Sequence, residues 1–104
     1  MKLYHITPSD NLPSILKYGL QPRSGGTLRD PEYDFGSREA RIYLTSNPQD
    51  VLDFALRHIG DWAVLEVQVE DTGLYPDPYE ESHYYSTKGI PKRDILIVGI
   101  YHNE

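Results

Sequence analysis

Apolar and polar positions along this chain fall into short runs that break at proline and glycine. Lys2 to Ile6 reads as a strand, with His5 near its end. Leu12, Ile15 and Leu16 then recur at helical spacing, with Pro13 tolerable in a first turn. Asp10 or Ser9 can start that helix by accepting from its first amides, and Gly19 can end it in a left-handed conformation. Gln21 to Glu39 has no period and predicts a long loop. Arg41 to Thr45 predicts a second strand. Asn47 and Pro48 signal the start of a second helix, with apolar positions at Val51, Leu52, Phe54 and Ala55 and a stop at Gly60. Ala63 to Val69 alternates as a half-buried strand. Asp71 to Arg93 is irregular, with room for further short strands. Asp94 to Tyr101, apolar on both faces, predicts a central strand. The order gives a single α+β domain without repeats or linkers.

Composition narrows the function classes. A length of 104 residues with 38% hydrophobic content allows one domain with a small core. Aromatic content is mostly tyrosine (9, against 2 Phe and 1 Trp), which suits half-buried strands and also surfaces that stack on ligands. A net charge of -6 argues against bulk electrostatic binding of nucleic acid. The chain has no cysteine, so disulfides, thiolate metal sites and cysteine nucleophiles are excluded. His5, His58, His83 and His102 form no helix-spaced metal pair, and no metal is expected. No apolar run reaches membrane-span length and the N-terminus lacks a signal-peptide core, so a soluble, cytoplasmic domain is expected.

Four blocks carry a resemblance. "LYHITPSDNLPSILKYGLQP", "RIYLTSNPQDVLDFA", "WAVLEVQVEDTGLYPDP" and "IPKRDILIVGIY" appear in order and cover most of the chain. Together they resemble the ADP-ribosyltransferase-like superfamily, closest in pattern to the small rifampicin ADP-ribosyltransferases, with some likeness to tRNA 2′-phosphotransferases. The resemblance implies a split pair of small β-sheets with two or more short helices, gripping NAD as a substrate in the cleft between the sheets. It implies that His5 hydrogen-bonds the nicotinamide ribose, that the backbone at Ile6, beside Thr7, meets the carboxamide, and that Tyr43 stacks on the nicotinamide ring. Phe54 matches the spacing of a second aromatic on the following helix, and a core role for it is compatible if it lines the cleft wall. Asp77, before Pro78, matches the acid, with Glu80 or Glu81 able to serve if the turn is built differently. Glu66 is read as pointing away from the core.

The chemistry accounts for these residue types. Nicotinamide leaves C1′ of its ribose through an oxocarbenium-like transition state, so the site must fix the leaving group and stabilise positive charge on the sugar. The acid can also orient or deprotonate the acceptor. Arg23 and Arg29 suit the pyrophosphate, although a solvated loop arginine is an equally ordinary reading. Tyr84 and Tyr85 suit either a substrate-facing wall or a plain strand, and Lys88, Lys92 and Arg93 a solvated surface.

The leading function is therefore an NAD-dependent ADP-ribosyltransferase with an unknown acceptor, protein or small molecule favoured over nucleic acid. An RNA 2′-phosphotransferase-like enzyme is the alternative. That branch uses arginines and a second histidine, and carries an extra N-terminal domain. Here Tyr43 stands at the second histidine's place, and only four residues precede His5, so an upstream arginine is not expected. A catalytically inactive nucleotide- or protein-binding domain and a toxin that consumes NAD complete the alternatives.

Overall fold

In the computed structural model, which describes residues 1–22, 41–70 and 72–104, the sequence runs fold into six strands and two short helices. The strands are β1 (Lys2–Pro8), β2 (Ile42–Thr45), β3 (Gly60–Gln68), β4 (Leu74–Pro76), β5 (His83–Ser86) and β6 (Ile95–Asn103). The helices are α1 (Leu12–Tyr18) and α2 (Pro48–Arg57). All strand pairs are antiparallel, in the order β4-β5-β2-β1-β3-β6. The fold is α+β, as expected. The long Gln21–Glu39 loop of the sequence reading lies almost wholly outside the described residues. The irregular Asp71–Arg93 segment does contain the two short strands β4 and β5.

The sheet is unevenly joined. β1 pairs with β3 along its whole length, from Lys2↔Gln68 to Pro8↔Trp62. Against β2 it registers at one pair, Tyr4↔Thr45. The ladders thus form one sheet of two three-stranded halves, β4-β5-β2 and β1-β3-β6, hinged at that pair.

Two apolar clusters explain why both sides of β1 and β3 are buried. Leu3, Ile15, Leu20, Ile42, Leu44, Leu65, Val67, Val69 and Ile90 pack between the sheet and α1. Ile6, Val51, Ala55 and Val64 pack on the opposite side, under α2. Val64, on the polar side of the strand as read from alternation, is therefore buried as well. Glu66, two residues on, does face outward and pairs with Lys2 at 3.6 Å.

Three local expectations need correction. No side chain caps α1, which instead grows out of a 3-10 turn at Ser9–Asn11; its C-terminal Gly19 does take a positive φ of 77°. α2 starts as read, with the Asn47 side chain accepting from the Gln49 amide at 3.1 Å and Pro48 at its first position. It ends at His58, which turns extended, and not at Gly60, which opens β3. The indole N–H of Trp62 and the amide of Asn103 donate to the carbonyl of His58, so side chains satisfy this end without a glycine. Finally, β6 is an edge strand and not a central one. Its Leu96, Val98 and Ile100 are exposed. An apolar run reports residue type, and the ladder order that decides between edge and centre is set elsewhere in the chain.

Candidate functional site

His5 sits at the joint between the two halves. Its neighbours on β1 are buried: Leu3 and Ile6 in the two clusters, and Thr7, whose hydroxyl accepts from Asn11 at 2.9 Å. The ring itself is half-buried. Nδ1 lies 2.8 Å from the carbonyl oxygen of Tyr43. A carbonyl only accepts, so Nδ1 carries the proton and donates. Burial lowers the His5 pKa, and the bond to Tyr43 only partly opposes that shift. The ring is thus held neutral near pH 7, in the tautomer that leaves Nε2 as a hydrogen-bond acceptor.

Tyr43 meets His5 through its backbone and not through its ring. Strand alternation puts Ile42 and Leu44 in the α1-side cluster and Tyr43 with Thr45 on the α2 side. The phenol is 50% exposed. Alternation places the His5 ring on the side of Leu3, so imidazole and phenol flank the joint from opposite sides of their strands.

Phe54 lies on the α2 side too. It stacks on His58 at 4.0 Å and meets Trp62 edge-on at 5.2 Å, beside Tyr4 and Tyr101. Its packing fits the core role that the sequence left open. Asp77 follows β4. Its amide donates to the His83 carbonyl at 2.8 Å, and its carboxylate accepts from the Tyr79 amide at 2.8 Å, closing its own turn. With strands about 4.8 Å apart, it stands roughly 10 Å from β2 and roughly 14 Å from β1. Glu80 and Glu81 are exposed in the same turn. Arg23 and Arg29 lie outside the described residues.

Several residues at the site carried no sequence signal. Arg41 shares the Tyr43 side and lies 4.1 Å over the Tyr85 ring, whose neighbour Tyr75 stacks at 5.3 Å. Tyr84 packs instead on the α1-side core, so the Tyr84–Tyr85 pair has one inward and one outward ring. A polar cluster adjoins this face. Oδ2 of Asp50, in the first turn of α2, receives the Thr45 hydroxyl at 2.8 Å, Nε2 of His83 at 3.1 Å and the Ser82 hydroxyl at 3.4 Å. Thr45 is only 3% exposed. Only the fold brings Asp50 and His83 together. Among the described residues, no three His, Asp or Glu side chains form a group able to hold a metal ion.

Comparison with known proteins adds one relative. No family model matches the chain. A probable RNA 2′-phosphotransferase from Archaeoglobus fulgidus is 29% identical to it over 100 residues, 93% of this chain and 39% of that protein. The chain therefore spans about two fifths of the length of the curated relative it matches. A transferase is thus a protein to which nearly the whole of this chain is similar.

Proposed function

We propose that this protein is a transferase of the ADP-ribosyltransferase-like class, which breaks the nicotinamide–ribose bond of NAD and passes the ribosyl carbon to a 2′-phosphate on RNA. The observation that carries the reading is the similarity to an RNA 2′-phosphotransferase along 93% of the chain. The single register pair Tyr4↔Thr45 between the two half-sheets supports the reading, because a split sheet is what that class would need. The His5 ring and the Tyr43 ring lie on opposite sides of their strands, so the neutral His5 acceptor suits the hydroxyl of a ribose that enters between β1 and β2 beyond their single register pair. The exposed Tyr43 ring suits a nicotinamide face. Arg41, on the same side, suits a phosphate.

A second reading has its own support. Tyr43 replaces the second histidine of the phosphotransferase branch, and a net charge of -6 disfavours RNA. Both favour ADP-ribosyl transfer to a protein or small molecule.

The test uses one assay. NAD is incubated with the protein, with and without an RNA bearing an internal 2′-phosphate, and nicotinamide and RNA phosphate are followed. Nicotinamide release with loss of the RNA 2′-phosphate is the expected result. Release that ignores the RNA moves the assignment to the second reading. No release under any condition contradicts both.

A further inference from the structure

We propose that His83, oriented by Asp50, is the base that takes the proton from a hydroxyl acceptor during transfer; this rests on the second reading above, since a 2′-phosphate is already ionised near pH 7 and brings no proton to remove. The argument begins with strain. Ser82 has a φ of 68°, an uncommon conformation for a residue with a Cβ. Its carbonyl accepts from the Ser46 amide at 2.8 Å and its hydroxyl reaches Asp50 at 3.4 Å, so the turn before β5 is fastened to the start of α2. Such strain persists only where surrounding contacts over-determine it. Here its effect is to hold His83 against Asp50.

The dyad is asymmetric. Nε2 of His83 faces Oδ2 of Asp50, which the buried Thr45 hydroxyl also fixes. A carboxylate oxygen accepts, so Nε2 donates to it and carries the ring proton, which leaves the lone pair on Nδ1. The His83 side chain is 40% exposed, and Nδ1 has no partner among the described residues. The ring thus keeps an oriented edge in solvent.

Placement makes that edge useful. His83 stands directly opposite Thr45, and Tyr43 opposite Tyr85, so His83 and Tyr43 are diagonal neighbours on one side of the sheet. Diagonal pairs lie about 7–8 Å apart, room for one acceptor group between a nicotinamide ribose on Tyr43 and the imidazole. In the reaction, the acceptor oxygen bonds to C1′ while the C1′–nitrogen bond breaks. The bonding pair passes to nicotinamide, which leaves neutral. The hydroxyl proton of the acceptor passes to Nδ1 of His83, and Asp50 holds the resulting imidazolium.

The experiment compares wild type with His83→Ala, His83→Gln and Asp50→Asn in nicotinamide release from NAD without RNA, where water is the hydroxyl acceptor, with melting temperatures recorded for each. The expected result is a fall in kcat of about 100-fold or more for both His83 variants, with KM for NAD within a few-fold of wild type. Imidazole added to His83→Ala restores part of the rate. Wild-type kcat in His83→Gln overturns the proposal and leaves the NAD reading standing. A loss that imidazole does not restore, accompanied by a lowered melting temperature, assigns His83 a structural role and also overturns it. Absence of nicotinamide release by the wild type defeats the NAD reading, and His83 with it.

Discussion

The account turns first on one imidazole. His5 shows why residue identity alone underdetermines chemistry: its role depends on the Tyr43 carbonyl, 2.8 Å away, and on burial. Both are properties of the folded chain. Its lowered pKa also has a stability consequence. Between the folded value and about 6.5 the unfolded chain binds the proton more readily, so unfolding is favoured there. The contribution of His5 is complete above about 6.5 and is lost as pH falls through its folded value. The difference in melting temperature between wild type and His5→Gln should therefore shrink as pH is lowered from 7 to 5. A difference that grows on acidification contradicts this placement. His102 works in the opposite sense. Asp61 and then Glu104 raise its pKa, so its contribution is present below about 6.5 and lost as pH rises through the raised value. Subtracting the His5→Gln curve removes that background.

At the scale of elements, short strands and helices owe their limits to specific contacts. Gly19 ends α1 at φ 77°, and a Cβ there would stand 2.3 Å from the Ile90 carbonyl oxygen. That carbonyl accepts from Leu20 in the bridge between α1 and the approach to β6. Gly19→Ala is expected to lower stability by more than ~1 kcal/mol, while Asn47→Ala, which removes the α2 cap, should cost about 1 kcal/mol. Urea unfolding checks both, and an unchanged midpoint in Gly19→Ala would refute the reading of that turn. These elements also mark what the sequence made legible. β1, both helices and β3 follow from alternation, Pro48 and Asn47. The edge position of β6 does not, because Ile95 to Ile100 reads the same in a central strand. The end of α2 escapes as well, since Trp62 and Asn103 close it from distant positions.

At the scale of the whole molecule, the site is a consequence of how two half-sheets meet. α2 covers β1 and β3 but leaves Tyr43 and Tyr75 half-exposed on β2 and β4. That open face could be expected from a tyrosine-rich composition only in kind. The placement of Arg41, Asp50 and His83 on it required the strand order, which sequence periodicity does not encode. Acidity sets a further limit. On the proposed reading, and with a net charge of -6, an RNA acceptor would meet one or two local basic contacts among the described residues, such as Arg41. With a slope of about -0.7 per contact, its KM should change by less than about tenfold between 50 and 200 mM salt. A much steeper dependence would reveal a broad phosphate footprint that this surface does not account for.

Breakage of NAD at the hinge is the central claim, and nicotinamide release measures it most directly. Wild type should liberate nicotinamide, Tyr43→Phe should retain most of that rate, and His5→Ala and Tyr43→Ala should each lose about 100-fold or more while remaining folded. Equal release by wild type and both alanine variants, or none by the wild type, would contradict the account.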